Sequence, residues 1–257
     1  MENKNLQSEL SIGEILSQTF NLYSRNLLQY LIPFLAAGIL TGLVTVFVRL
    51  VVVIPAAPVH PTSQQLLTWF PTFVIATLTS LSLSGIVGWI TSSITAGVAI
   101  KFTSDMVEKG QANLQTSFNF TLTKLLSLLA ASIITGVLIL LGFVALIIPG
   151  VILSLMFSLV YPVIMLEGTG VMGSISRSRV LVSNRWINTF VLMLLIGLIV
   201  GIANGVFVLV ASPFGVIGPL IAGVLTALIT PIFAIAITLY YYSMKARALP
   251  PPPPPLT

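Results

Sequence analysis

Residues 125–166 constrain the fold strongly, because 42 consecutive residues carry no charged side chain. A membrane-spanning helix needs about 20 apolar residues, so this run is long enough for two crossings. One reversal signal divides it, at Pro149 and Gly150. Proline disfavours helix at the residue before it, and glycine tolerates the backbone angles of a tight turn. We therefore predict a transmembrane hairpin that turns at Pro149 and Gly150.

The alternative, a hairpin buried inside a soluble protein, is disfavoured by composition and size. The chain has 257 residues, of which 56% are hydrophobic and 7% are charged, whereas soluble domains carry about 25% charged residues. A chain of this length cannot bury so much apolar surface by itself. The composition therefore predicts an all-α polytopic membrane helix bundle. We expect a polar tail over residues 1–10, one integral membrane domain over 11–248 and a proline-rich tail over 249–257.

Six apolar segments are predicted to cross the membrane. They cover about residues 27–54, 85–102, 125–147, 150–166, 189–210 and 219–242. The stretch before the second span has two interpretations. Either residues 67–83 form a short re-entrant or interfacial piece, or one long bent helix continues through them.

The positions of the charged residues predict the orientation of the chain. With six spans, ten of the eleven Lys and Arg residues lie on the side that carries both termini, and only Arg49 lies on the other side. Because basic residues accumulate on the cytoplasmic side, both termini are predicted to be cytoplasmic in a multi-pass protein of the cell membrane.

Two amphipathic stretches are predicted to lie among the lipid headgroups. The first follows Ser11, whose side chain and that of Glu14 have the spacing of a capping box. The second covers residues 171–187 and carries Arg177, Arg179 and Arg185. These three arginines have two interpretations: they contact anionic lipid, or they only determine topology. At the end of the last span, Tyr240–Tyr242 predict an aromatic belt at the membrane interface.

Small residues predict where helices pack. Gly38 and Gly42 form one GxxxG motif, and Gly197, Gly201 and Gly205 form a double one. Glycines at this spacing allow two helix backbones to approach closely. The predicted packing is compatible with contacts inside one chain or in a homo- or hetero-oligomer.

The polar residues predict no catalytic, cofactor or metal site. Asp105 and Glu108 share one helix face, but Lys101 and Lys109 lie four residues on either side of Asp105, which favours a salt-bridged helix end. The chain has one histidine, His60, and no cysteine, so no metal-ligand set can be assembled from these residue types. The basic residues form no dense patch of the kind that binds nucleic acid.

Several segments resemble a known family. The opening SIGEILSQTFNLYSRN, the segment from Ile148-Pro149-Gly150 through Trp186 and the six-span layout resemble the membrane domain of glycerophosphodiester phosphodiesterases and related, largely uncharacterised prokaryotic membrane proteins. In that family the phosphodiesterase activity belongs to a separate soluble barrel domain, which nothing in this chain matches. The resemblance therefore implies a membrane module without that enzyme activity.

Three functions are weighed from the sequence. We favour a non-catalytic membrane scaffold or lipid-interacting module whose partner is membrane lipid. A small transporter or channel is the alternative, because Pro33, Pro162 and Pro231 predict kinks and Asn204 lies inside a span. An enzyme acting on lipid would have only Asp105, Glu108 and Glu167 as acids, and is the least favoured.

Overall fold

The computed structural model describes residues 9–248, and helices account for 86% of them, with no strand in this range. In chain order the helices are α1 Ile12–Arg25, α2 Leu27–Val51, α3 Ser63–Lys109, α4 Leu114–Ala145, α5 Ile147–Met156, α6 Val160–Glu167, α7 Val171–Val182, α8 Trp186–Ala211, a 3-10 helix Ser212–Ile217, α9 Gly218–Thr226 and α10 Pro231–Ala248. The predicted tails, apart from Glu9 and Leu10, lie outside the described residues.

Five segments of the described chain are helices long and apolar enough to cross a membrane. They are Leu27–Val51, Ser63–Lys109, Leu114–Ala145, Ile147–Glu167 and Trp186–Ala248. The predicted class, an all-helical protein with membrane-spanning helices, is confirmed at this level. The last segment has 63 residues and contains Gly215 at φ 55° and ψ −120°, so it is not one continuous helix.

The described chain forms two compact units. Unit one comprises residues 9–30, 93–200 and 230–248, and unit two comprises Leu31–Ser92 and Gly201–Ile229. Helices α2, α3 and α8 are each divided between the two units, with one part in unit one and the other part in unit two.

The core of unit one joins α3, α4 and α6. Ile100, Leu128, Ala131, Val160 and Ile164 are each at most 2% exposed and pack together. Gly97 brings α3 and α4 close, because a Cβ there would lie 2.5 Å from Thr121 Cγ2. This packing holds the end of α3 and the start of α4 in fixed positions.

The reversal after α4 lies three residues earlier than predicted. Leu146 is extended, at φ −166° and ψ 156°, and α5 begins at Ile147. Pro149 falls in the first turn of α5, where an N–H would have no acceptor within the helix, so proline fits there. Gly150 packs against the Phe143 ring and allows α4 and α5 to approach closely.

The helical segment Ile147–Glu167 is interrupted between α5 and α6. A serine of α7 forms hydrogen bonds with the backbone groups at the interruption. The Ser178 hydroxyl donates to the Met156 carbonyl at 2.7 Å and accepts the Leu159 N–H at 3.1 Å. Ser178 is fully buried. Unpaired backbone groups are costly in an apolar environment, so Ser178 stabilises the interruption.

In unit two, α2 packs against α9 through glycines. A Cβ at Gly38 would collide with the Gly223 carbonyl, and a Cβ at Gly42 would lie 2.6 Å from the Leu220 Cα. The predicted GxxxG motif on α2 is therefore at a close helix contact, and Gly223 is its counterpart.

The open question about residues 67–83 is answered by α3, which is one helix of 47 residues. It has more than twice the residues that a single crossing needs, about 20. Gly110 follows it at φ 73°, the left-handed conformation that is typical of a C-terminal glycine cap.

Candidate functional site

The polar residues of unit one gather around the end of α10. Tyr240, Tyr241 and Tyr242 are 1%, 0% and 7% exposed, so the predicted aromatic belt is wrong. Each phenol instead forms a hydrogen bond inside the protein. Burial of an aromatic ring is favourable when its hydroxyl finds a partner, and these partners are available only in the folded bundle.

Three consecutive tyrosines reach three different helices, because successive side chains on a helix are about 100° apart. Tyr240 bonds Thr189 of α8, Tyr241 donates to Glu167 of α6 at 3.0 Å, and Tyr242 donates to Glu108 of α3 at 2.6 Å. Ser104 bonds the Tyr242 oxygen at 2.7 Å. The end of α10 therefore joins α3, α6 and α8 by hydrogen bonds.

The two acidic residues predicted to share a helix face have different partners. Asp105 bonds Lys101 at 2.9 Å and Lys109 at 2.7 Å, as the predicted salt-bridged helix end requires. Its side chain is only 6% exposed, so this ion pair is less solvated than expected. Glu108 accepts the Tyr242 hydroxyl instead. Each carboxylate is therefore already engaged by the chain itself.

The three arginines for which lipid contact is one of two interpretations differ in their surroundings. Arg177 Nε donates to both Glu167 oxygens at 3.1 and 3.0 Å. Arg185 forms two bonds of 2.7 Å to Glu9, and this pairing raises the pKa of Arg185. Arg179 is exposed and makes no ion pair within residues 9–248.

The stretch predicted as one amphipathic helix over residues 171–187 is divided. Helix α7 ends at Val182 and α8 begins at Trp186. The residues of α7 that are buried include Ser174 and Ser178, because α7 packs against protein on that face. Sequence reasoning missed Ser178, although a serine every fourth residue from Ser174 is a signal of a polar helix face in contact with another helix.

Helix α1 also packs against the protein. The capping box of Ser11 and Glu14 is confirmed, and hydrogen bonding by Ser11 lowers the pKa of Glu14. Ile15 and Leu22 of α1 are 0% and 4% exposed, and α1 contacts α10. Part of the apolar face is therefore covered by α10.

Unit one carries basic residues that have no carboxylate partner within the described chain. The five are Arg25, Lys124, Arg179, Lys245 and Arg247. Lys245 Nζ lies 5.8 Å from the centre of the Tyr241 ring. Arg247 donates one bond to the Ser183 carbonyl, at 2.9 Å. The excess charge of the described part of unit one is therefore positive, and Lys245 lies beside the tyrosine cluster.

The second glycine motif has no close neighbour in its own unit. A Cβ at Gly197 meets no atom of unit one within 4 Å, and a Cβ at Gly201 or Gly205 meets none of unit two. The packing role of these three glycines stays a prediction.

Within residues 9–248, no three His, Cys, Asp or Glu residues lie close enough together to hold a metal ion. Comparison of the chain with protein-family models, with curated proteins and with solved structures gave no match.

Proposed function

We propose that this chain is a non-catalytic, lipid-interacting module of the cell membrane with six transmembrane helices and both termini in the cytoplasm. The observation that carries the proposal is the set of unpaired cations in unit one, Arg25, Lys124, Arg179, Lys245 and Arg247. The five described carboxylates are already engaged by the chain, so the charge left for a partner is positive. Anionic lipid headgroups have the complementary charge.

The geometry of unit one supports six crossings. Thr189, near the start of α8, and Tyr240, near the end of α10, are 51 positions apart and share a hydrogen bond. A straight helix of that length would separate them by roughly 75 Å. The chain must therefore reverse between them, which supports two crossings in Trp186–Ala248 and six in all.

Contacts in unit one also support the proposal that the start of α2 and the ends of α3, α6 and α10 lie on the same side of the membrane. Tyr30, near the start of α2, bonds Thr103 near the end of α3 at 2.8 Å. The ends of α3 and α6 meet the end of α10 through Tyr242 and Tyr241. Alternate crossings would bring these particular ends together, as the positive-inside pattern of the sequence predicts.

The test measures how strongly the purified protein prefers anionic lipid. Arg25, Lys124 and Arg179 are changed together to Gln, and a matched control changes Arg25 and Arg179 to Lys, which keeps the charge. Each basic residue near an anionic surface contributes about 1 kcal/mol, so the triple variant should bind anionic vesicles roughly 100-fold more weakly. Equal binding by the triple variant and the parent would contradict the proposal.

A small transporter is the second candidate, because the segment Ile147–Glu167 is interrupted between α5 and α6. Interrupted helices form the substrate sites of many transporters. Here Ser178 already occupies the free backbone groups of the interruption, which favours a structural role. Flux of ions or small solutes into proteoliposomes, abolished by a bulky substitution at Ser178, would favour the transporter instead.

We also propose that the chain is related to the membrane domain of glycerophosphodiester phosphodiesterases. What supports it is the resemblance of the opening helix and of the segment from Ile148 to Trp186. The proposed function takes from that family the membrane module and not its soluble phosphodiesterase domain.

A further inference from the structure

Unit two has one charged side chain, Arg49, and no carboxylate to pair with it. Arg49 lies near the end of α2 and is exposed. Its side chain borders a cleft of about 370 Å³ within unit two. The cleft is lined by Thr45, Arg49, Val208, Ala211, Ser212, Gly215, Gly218, Pro219 and Ala222.

The cleft follows from the glycine contact between α2 and α9. Gly38, Gly42, Thr45 and Arg49 are spaced by four, three and four residues, so they share one face of α2. At Gly38 and Gly42 this face touches the backbone of α9. Farther along, the chain departs from helical geometry at Gly215, and a space opens in front of Arg49.

The lining has one source of side-chain N–H donors and mostly apolar walls. The Thr45 hydroxyl donates to the Thr41 carbonyl and the Ser212 hydroxyl to the Leu209 carbonyl. The guanidinium of Arg49 has five N–H groups and no carboxylate partner in this unit. Val208, Ala211 and Ala222 supply aliphatic wall. A ligand that matches this lining carries an anionic group joined to an apolar chain.

We propose that this cleft binds the phosphate of an anionic phospholipid, with the start of its acyl chain against Val208 and Ala222. Arginine and phosphate form charge-assisted bonds that are often bidentate, so Arg49 supplies affinity and orientation. The volume of about 370 Å³ is at the lower end for ligand pockets, which suits a headgroup better than an entire lipid. This site lies in unit two and is independent of the unpaired cations of unit one.

The experiment counts bound lipids by native mass spectrometry on the full chain in neutral detergent. Phosphatidylglycerol is compared with phosphatidylcholine and with inorganic phosphate. Two variants address the cleft: Arg49→Gln removes the donor, and Ala222→Phe fills the space while leaving Arg49 in place. Arg185→Gln is the matched control, because it removes an arginine of unit one that is already paired with Glu9 and is not among the cations proposed to meet lipid. Gel filtration and helical circular dichroism show that each variant is folded.

We expect the parent to retain one phosphatidylglycerol that Arg49→Gln binds about tenfold more weakly, which corresponds to the loss of one charge-assisted hydrogen bond. Ala222→Phe should also weaken its binding, because the ring occupies the space that the lipid would take. Arg185→Gln should keep that lipid. If both cleft variants bind it as the parent does, the site is overturned. If inorganic phosphate displaces it and binds equally well, the assignment to a phospholipid is overturned.

The two proposals fail separately. If the triple variant, in which Arg25, Lys124 and Arg179 are changed to Gln, binds anionic vesicles as strongly as the parent does, the proposed function is contradicted. The lipid bound at Arg49 is unchanged in that case. If the cleft variants bind phosphatidylglycerol as the parent does, the site at Arg49 is contradicted. The preference of unit one for anionic vesicles is unchanged in that case.

Discussion

Unit one joins its helices through hydroxyl and carboxylate groups, whereas unit two joins α2 and α9 through glycine backbones. In unit one the tyrosines of α10 reach α3, α6 and α8, and Ser178 of α7 reaches the interruption between α5 and α6. In unit two, Gly38 and Gly223 leave no room for a side chain. Both arrangements hold helices together where burial of apolar surface gives little preference between protein and lipid.

The two units are therefore vulnerable to opposite changes. A unit held by hydrogen bonds is destabilised when one partner is removed, because the other partner stays buried and unsatisfied. A unit held by close backbone contact is destabilised when an atom is added.

The addition of a side chain at Gly38 should destabilise unit two most. In Gly38→Val the new atoms collide with the Gly223 carbonyl, so α2 and α9 must separate, at a cost of about 3 kcal/mol. Thermal unfolding in detergent measures the loss. Gly136→Val is the control, because a Cβ at Gly136 meets no described atom within 4 Å. Equal losses in the two variants would show that the close contact is not what destabilises unit two.

The removal of the Ser178 hydroxyl should destabilise unit one. In Ser178→Ala the buried Leu159 N–H and the partly buried Met156 carbonyl lose their side-chain partner, and the expected cost is about 2 kcal/mol. Ser176→Ala is the matched control, since Ser176 is two residues away on the same helix and exposed. Unfolding by denaturant compares the two. If the free energy of unfolding falls as much in Ser176→Ala as in Ser178→Ala, the proposed role of the buried Ser178 hydroxyl is contradicted.

Arg177 and Arg179 separate stability from lipid binding. Arg177→Gln removes the cationic partner of Glu167 and should cost about 1 kcal/mol, since both side chains are partly exposed. Arg179→Gln should leave the unfolding temperature unchanged and weaken association with anionic vesicles. A larger fall in the unfolding temperature for Arg179→Gln than for Arg177→Gln would contradict the expectation that Arg177, and not Arg179, contributes to stability.

The smallest effect concerns pH and the start of α1. Hydrogen bonding by Ser11 lowers the pKa of Glu14 in the folded protein. The stabilisation by this box is therefore present above the unfolded pKa of glutamate, about 4.3, and is lost as the pH falls through the lower folded value. The parent should lose slightly more thermal stability between pH 6 and acidic pH than Ser11→Ala does. Identical pH dependence in the two proteins would exclude a contribution from the box.

Sequence reasoning predicted the local features of the fold well. The apolar runs predicted helices long enough to cross a membrane, and Ser11 with Glu14 predicted the start of α1. It missed Gly223 as the counterpart of Gly38, and it assigned the tyrosines of α10 to the membrane interface. Both misses concern which helix lies beside which, and no local pattern contains that information.

The amino-acid sequence alone determined that this chain is helical and rich in apolar segments, because hydropathy and helix caps depend on residues within a few turns of each other. The tertiary structure alone decided that Leu146 carries the reversal, that Ser178 satisfies an interruption 19 residues away from it in sequence and that Tyr242 finds Glu108 across 134 positions. Such partners meet only when helices pack, since a hydrogen bond acts over about 3 Å and the sequence separation sets no distance of that kind.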